Sequence, residues 1–200
     1  MGYDGLPWTL SIVTEPSAEP LTLAEAKLHV REDQADNDSL IRSLIAAARQ
    51  HVEAFTGRAL MPQTWDVSLD EFPAGSIWLP KAPLVSVTSV SYLDVAGDSQ
   101  VWSTANYSVH APAGDRAQQG RVSPNYSVFY PVTLPVPNAV TVRFVAGYAS
   151  AARVPEAIKS AMKLLIGHWY GSREAVVYGQ TAPVVIPVGV DALLWPYKVF

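Results

Sequence analysis

The chain of 200 residues contains no cysteine, and charged residues make up only 16% of it. Without cysteine it can form no disulfide, thiolate zinc site, iron–sulfur cluster or cysteine nucleophile. Globular chains carry about 25% charged residues, so this chain has too few to cover the surface of an ordinary monomer. We therefore expect much of its surface to contact other protein molecules.

The charge that is present is slightly acidic, with 18 Asp and Glu against 14 Lys and Arg. This balance argues against a protein whose main task is to grip a phosphate backbone. Met1-Gly2-Tyr3-Asp4 lacks the basic region of a signal peptide, and no apolar stretch approaches the roughly 18 residues that span a bilayer. We expect a soluble protein that does not contact a membrane.

Three segments have the pattern of α-helices. Thr22-Leu23-Ala24-Glu25 has the form of a capping box and predicts a helix over residues 23–31. Apolar residues at helical spacing predict a second helix over residues 38–56, with Gly57 as its C-cap. A third helix is predicted to begin at Pro155 and either to end near Gly171 or to continue through Arg173-Glu174.

Residues 60–150 are rich in Val, Thr, Ser and aromatic residues and predict an antiparallel β-rich block. Its predicted strands are Gln63–Leu69, Ser76–Leu79, Val85–Leu93, Val101–Val109 and Ala139–Val145. The fold class is therefore α+β: a small bundle of two N-terminal helices and one C-terminal helix, with the β block inserted. The predicted organisation is an extended arm (1–20), a helical core (21–60 and 151–176), the inserted β-rich domain (61–150) and a C-terminal tail (177–200).

The C-terminal tail is almost uncharged, since Asp191 and Lys198 are the only charged residues after Glu174. Pro183 and Pro187 prevent a regular helix around them, so the tail is predicted to be an extended apolar segment. Such a segment either lies across the body of its own chain or docks on a partner. Its candidate contact residues are Val184, Val185, Ile186, Val190, Leu193, Leu194, Trp195, Tyr197 and Phe200.

Residues suited to catalysis or metal binding do not form a recognisable site. His29 and His51 could approach each other from separate helices, but ordinary surface or boundary histidines are the favoured interpretation. Asp33, Asp36 and Asp38 lack the spacing of a calcium loop and fit a helix N-terminus better. The glycines of residues 114–121 lack a phosphate-loop ending and indicate an exposed loop. We predict no enzyme activity, no cofactor and no metal.

Aromatic residues in the predicted strands leave one alternative function open. Such rings could form a stacking surface for carbohydrate, or they could fill the β core or a protein interface. The second interpretation is favoured over nucleic-acid binding, because Lys and Arg are scarce in this block. The residues concerned are Trp65, Trp78, Tyr92, Trp102 and Tyr107.

Several short motifs, taken in order, resemble the tailed-phage head–tail connector (adaptor) proteins. The similarity covers nearly the whole chain from Leu21 onward. The N-terminal motifs are Thr22-Leu23-Ala24-Glu25-Ala26-Lys27-x-His29, Asp36-x-Asp38-x-Leu40-Ile41, Glu53-x-x-Thr56-Gly57-Arg58-Ala59-Leu60, Gln63-Thr64-Trp65 and Leu79-Pro80-x-x-Pro83-Leu84-x-Ser86-Val87. The C-terminal motifs are Ala146-Gly147-Tyr148, Val154-Pro155-x-x-Ile158-Lys159, Gly167-His168-Trp169-Tyr170, Arg173-Glu174-Ala175 and Pro187-x-Gly189-Val190-x-Ala192-Leu193-Leu194-x-Pro196-Tyr197.

The resemblance implies a structural protein of the virion, assembled in the host cytoplasm, in a phage or a gene transfer agent. Such adaptors form a ring, usually dodecameric, beneath the portal protein. The ring extends the DNA channel, through which DNA passes without specific binding, and receives a stopper or tail-completion protein. By this resemblance, residues 182–200 dock on the portal. The remaining alternatives are the carbohydrate-binding module and a neighbouring head-completion or tail protein.

Overall fold

The structure, a computed structural model, describes residues 8–172 and 188–199. Its α-helices are α1 (Leu23–Val30), α2 (Asp38–Thr56), α3 (Glu156–Gly171) and α4 (Val188–Leu194). Its strands are β1 (Trp8–Thr14), β2 (Gln63–Leu69), β3 (Ile77–Leu79), β4 (Leu84–Leu93), β5 (Ser99–Val101), β6 (Tyr107–His110), β7 (Gly120–Pro124) and β8 (Val140–Ala146). The predicted α+β class is confirmed.

The four helices share one apolar core. Thr22 caps α1 through the predicted capping box with Glu25, and Gly57 ends α2 in the left-handed conformation (φ 71°). Apolar residues three and four apart give α2 one buried face, which packs on α3. α4 packs on α3 as well. The fully buried residues of this core include Ile41, Val52, Ile158, Met162, Leu165, Val190 and Leu194.

The strands form two antiparallel sheets with a second apolar core. The larger sheet has the order β1-β2-β8-β4-β5, and the smaller has the order β3-β7-β6. Alternate residues of β2 and β8 are buried, as expected for strands with one face toward a core. The opposite face of the larger sheet carries mainly Ser and Thr, with one ion pair between Asp66 and Arg143.

A buried carboxylate joins the helices to the sheets. Glu53, near the end of α2, accepts hydrogen bonds from the Leu60 amide (2.8 Å), Gln63 Nε2 (2.6 Å) and Arg49 Nη1 (2.9 Å). Arg49 also bonds Glu19 at 2.9 Å. Burial raises the pKa of the Glu53 carboxyl, and its three donors oppose that shift. Removal of one partner of such a buried pair costs about 3–5 kcal/mol.

A glycine directly after β8 allows a second close contact between the helical part and the sheets. Gly147 has a positive φ of 132°, and a Cβ atom there would lie 2.2 Å from the Met61 carbonyl oxygen. Only glycine fits this conformation and this approach. Tyr148 follows it, is buried, and donates to the Asp115 carbonyl at 2.8 Å. The Ala146-Gly147-Tyr148 motif is therefore explained by packing.

The structure differs from the sequence predictions at four places. Residues 8–14 of the predicted arm form the edge strand β1. The predicted strand 101–109 is interrupted by a 3-10 turn over Thr104–Asn106. The predicted exposed loop at 114–121 ends in strand β7, with Ala117 buried. Residues 188–197 form α4 and a 3-10 turn where an extended tail was expected, because apolar residues at helical spacing reach the helical core.

Within the described ranges, no helix is both long and apolar enough to cross a membrane.

Polar contacts link the first two helices to the end of α3. Glu32, between α1 and α2, accepts hydrogen bonds from the Tyr170 hydroxyl (2.5 Å), Asn37 Nδ2 (2.8 Å) and the Gln34 amide (2.9 Å). The Tyr170 hydroxyl, followed by the Gln34 and Asn37 donors, lowers the pKa of Glu32 to about 2.

We predict that Glu32→Gln weakens the dependence of stability on acid pH. The pKa of Glu32 is depressed in the folded state, so the unfolded state binds more protons between the two pKa values. Its stabilisation is present above the unfolded pKa of about 4.3 and is lost as pH falls toward 2. Urea unfolding of the wild type and the variant from pH 7 to pH 2 measures this.

The expected difference in unfolding free energy between the two proteins is largest at neutral pH and shrinks toward pH 2. Glu71→Gln, at an exposed carboxylate on the β block, is the control and should leave the pH profile unchanged. A constant difference across the whole pH range would contradict the assignment.

Candidate interaction surfaces

The predicted docking residues of the tail divide into buried and accessible sets. Val190 and Leu194 are fully buried in the core of their own chain and are not available to a partner in this conformation. Leu193 and Tyr197 are half-buried against that core, and Trp195 is 59% exposed. Val184, Val185, Ile186 and Phe200 lie outside the described residues. The accessible part of the described tail is therefore the turn that follows α4.

Three contacts hold this turn to the end of α2. Arg58 Nε donates to the Tyr197 carbonyl at 2.5 Å, and the Val199 amide donates to the Thr56 carbonyl at 2.8 Å. Lys198 Nζ lies over the Phe55 ring, 5.4 Å from its centroid, and over the Trp195 ring at 5.3 Å. The segment Phe55-Thr56-Gly57-Arg58 thus forms the surface on which the described C-terminal residues pack.

Arg58 is fully buried, which is rare for arginine. Its Nε donates to the tail, whereas the two terminal nitrogens have no partner at good hydrogen-bond geometry among the described atoms, and the Tyr148 hydroxyl is their polar neighbour. Burial lowers the pKa of this guanidinium, while the nearby Tyr148 and Tyr197 oppose the shift. A buried guanidinium without a carboxylate partner is costly to desolvate, so the specific effect of its bond to the Tyr197 carbonyl is to position the tail.

We predict that Arg58→Met loosens the C-terminus without unfolding the chain. Methionine fills a similar volume and removes a buried charge, but it cannot donate to the Tyr197 carbonyl. A hydrogen bond from a charged donor contributes about 1.5 kcal/mol, so amide exchange at Val199 should rise about tenfold. Exchange in the middle of α2 should stay unchanged. NMR hydrogen exchange measures both.

Arg42→Met, at an exposed position on α2, is the matched control. It should leave the exchange of Val199 as in the wild type. Unchanged exchange of Val199 in Arg58→Met would show that the guanidinium does not hold the tail.

A second candidate surface is the connection between β7 and β8, residues 125–138, named here the aromatic loop. Tyr126 is 100% exposed, Phe129 is 87% exposed and Val132 is 77% exposed. No charged residue occurs from Val122 to Val142. Three apolar side chains exposed so close together, without a charge nearby, indicate a protein-interaction surface.

Hydrogen bonds and a stacked ring pair hold the aromatic loop against the β block. Asn125 Nδ2 donates to the Ala105 carbonyl at 2.8 Å, and the Leu134 amide donates to the Leu93 carbonyl at 3.0 Å. Tyr130 stacks on Phe72 with the ring centroids 4.6 Å apart, and its hydroxyl donates to the Gly75 carbonyl at 2.9 Å. The loop is thus ordered before any partner binds, which lowers the entropy cost of association.

We predict a large stability effect at Tyr130 and almost none at its neighbour Phe129. Tyr130→Ala removes a half-buried ring and should lower the free energy of unfolding by about 3 kcal/mol. Phe129→Ser changes an exposed side chain and should stay within about 0.5 kcal/mol of the wild type. Denaturant unfolding of the isolated chain measures both, and a large loss in Phe129→Ser would mean that this ring is packed rather than displayed.

The aromatic residues considered for carbohydrate binding lie mostly in the β core. Trp102 and Tyr107 are buried and stack with the ring centroids 5.2 Å apart. Trp65, Trp78 and Tyr92 are half-buried and pack against the same core. These rings therefore form no open stacking platform, which favours the packing interpretation. The aromatic loop, which is exposed, was missed from the sequence, although its long uncharged stretch was a usable signal.

The two histidines considered as a metal pair both lie against α3. The His51 ring contacts the Trp169 ring edge-on at 6.1 Å, and His29 packs beside Gly167. Asp38, from the acidic cluster, starts α2 and forms an ion pair with Lys27 at 2.6 Å. In the described ranges, no group of three or more potential ligands is arranged to hold a metal ion.

Comparisons with known proteins place this fold in a defined class. A family model described as "Head completion protein" matches residues 20–186. A chain from the structure titled "Neck of empty GTA particle computed with C6 symmetry" is similar with a TM-score of 0.77 and 26% identity, over 96% of each chain. A chain from "Virion of native gene transfer agent (GTA) particle" has a TM-score of 0.75 and 25% identity over the same shares. No curated protein matches.

A third similar structure, "Neck of native GTA particle computed with C12 symmetry", has a TM-score of 0.71 at 23% identity over 96% of each chain and supports the fold alone. The fold and its apolar surfaces thus define a structural, non-enzymatic component of the head–tail junction of a phage-like particle. The chain belongs to the head completion protein family.

Proposed function

We propose that this chain is a head–tail adaptor that forms a ring under the portal protein of a phage-like particle. The observation that carries the proposal is the similarity over 96% of both chains to a chain from the neck of a gene transfer agent particle. The neck of that particle was computed with C6 symmetry, which supports a ring of many copies. The family description supports a role in completing the head.

The ring extends the DNA channel from the portal toward the tail. A formal net charge of −4 suits this role, because an acidic or neutral lining repels or ignores the phosphate backbone and DNA passes without sticking. The scarcity of charge also supports the proposal, since each copy contacts two neighbours, the portal and the next neck protein.

The portal contact is made by the C-terminal segment, residues 182–200. Its described part is oriented by the helical core: Val190 and Leu194 are buried, so Leu193, Trp195 and Tyr197 are the side chains left to meet a partner. Tryptophan and tyrosine are favoured at the centre of protein interfaces. Deletion of the whole segment would remove Val190 and Leu194 from the core, so a single substitution is the better test.

We predict that a mixture of this chain with its portal protein forms rings visible by electron microscopy. Trp195→Ala should weaken binding to the portal about 30-fold or more, the loss typical of an interface hot spot of about 2 kcal/mol. Trp195→Phe keeps most of the apolar ring and should bind within a few-fold of the wild type. Surface plasmon resonance on immobilised portal measures the affinities.

Absence of rings with the portal would contradict the adaptor role. Equal affinity of Trp195→Ala and the wild type would contradict the docking assignment while leaving the ring intact. The family description also fits a position one place further along the neck, as a head-completion protein next to the tail. Cross-linking against the portal and the tail proteins distinguishes these positions.

A further inference from the structure

The larger sheet has an open edge at β1. β1 pairs with β2 on one side, and among the described strands none lies on its other side. Its residues are almost all exposed, including Ile12 and Val13, and no charged residue occurs from Gly5 to Thr14. Soluble proteins usually protect such an edge with lysine, proline or a bulge; Trp8–Thr14 contains no lysine or proline, and its one register shift, between Ile12 and Thr14, lies at the end of the strand. This edge is suited to pairing with another strand.

A second open edge lies at the other end of the same sheet. β5 covers only residues 91–93 of β4, and the Trp102 amide adds one further bond to the Val90 carbonyl. The outer edge of residues 85–89 is therefore uncovered in the described structure. Val85 is 53% exposed, Ser86 and Thr88 are exposed, and β4 carries no charge. The two edges have similar length and the same uncharged, β-branched character.

The strand directions allow the two edges to meet. Every neighbouring pair in the larger sheet is antiparallel, so β1, β8 and β5 run one way and β2 and β4 run the other. A second copy can be placed beside β4 so that the strands of its sheet keep the directions they have in the first copy. Its β1 would then be antiparallel to β4 and in line with β5. Outside the two register shifts of β4, between Leu84 and Ser86 and between Val87 and Ser89, the hydrogen-bond pattern of the sheet would then continue from one subunit to the next.

We propose that β1 of each subunit pairs with residues 85–89 of β4 in the next subunit, so that one sheet runs across each subunit boundary. This rests on the proposed ring. Each copy has one β1 edge and one β4 edge, at opposite ends of its larger sheet. In a ring of identical copies, every β1 edge can therefore pair with the β4 edge of a neighbour. A different protein bound at one edge would leave the other open. Such a head-to-tail contact closes into a ring when the rotation between subunits allows it.

Engineered cysteines test the contact, since the wild-type chain has none. Ser11 and Ser89 lie in one cross-strand row, which runs Ser11, Asp66, Arg143, Ser89. Three strand spacings separate them within a subunit, about 14 Å, which exceeds the roughly 7 Å limit for a disulfide. A disulfide between these positions must therefore join two subunits.

The variants are Ser11→Cys with Ser89→Cys and, for the neighbouring register, Ser11→Cys with Ser86→Cys. Rings assembled with portal are oxidised and run on a non-reducing denaturing gel, with a second sample imaged by electron microscopy. We expect a ladder that extends to the size of the whole ring. The single-cysteine variants are the controls and should give nothing larger than dimers.

The outcomes separate this inference from the proposed ring. Rings without a ladder in either double variant would overturn the strand pairing and leave the adaptor role standing. A ladder without rings would support the pairing and count against the ring. Neither rings nor ladder would overturn both.

A charge placed on the edge gives an independent test that needs no disulfide. Val13→Lys should reduce the fraction of rings at least tenfold, because lysine on an edge strand opposes pairing, while the melting temperature of the isolated chain stays within about 2 °C. Ala113→Lys, in an exposed loop, should assemble like the wild type. Normal ring formation by Val13→Lys would overturn the proposed contact.

Discussion

The buried carboxylate of Glu53 is the constraint on which the arrangement of the molecule depends. It receives one hydrogen bond from its own helix through Arg49, one from the Leu60 amide and one from Gln63 at the start of β2. A carboxylate in this position is costly unless all its donors are present, so the end of α2 and the entry to the sheet must keep one relative placement. The two apolar cores, which share no residue, are thereby held as neighbours.

The same stretch of chain also positions the C-terminus. Thr56, Gly57 and Arg58 lie three to five residues after Glu53, and they contact the last described residues, Tyr197 and Val199. The motif Glu53-x-x-Thr56-Gly57-Arg58, one of those that carry the family resemblance, therefore has a physical explanation. Glu53 links α2 to the sheet, Gly57 ends α2, and Arg58 binds the C-terminal segment. None of them performs chemistry, as suits a structural protein of the head–tail junction.

The low charge of the chain has a spatial pattern that agrees with assembly. The helices carry ordinary polar outer faces, whereas the uncharged stretches fall on the two edges of the larger sheet and on the aromatic loop. An isolated monomer with these surfaces would be prone to aggregate. In the ring that we propose, the same surfaces lie between subunits or between proteins. The sheet edges and the loop are both ordered by backbone hydrogen bonds before contact, which limits the entropy lost on association.

The sequence by itself determined the local structure of the long elements with a strong apolar period. The helix Asp38–Thr56 and the strand Gln63–Leu69 match their predicted bounds. The apolar period that predicts each of them, 3.6 residues for the helix and two for the strand, can be recognised within the element itself. The family resemblance was readable from ordered motifs in the same way. Only the tertiary structure decided that residues 8–14 join the sheet and that Val190 and Leu194 enter the helical core rather than face a partner. The tertiary structure also decided which rings of the aromatic loop are exposed, as Tyr126 and Phe129 are, and that Tyr130 packs on Phe72. In each of these cases the deciding partner lies far away in the sequence, at β2, at α2 and α3, or at Phe72, and no local pattern specifies such a contact.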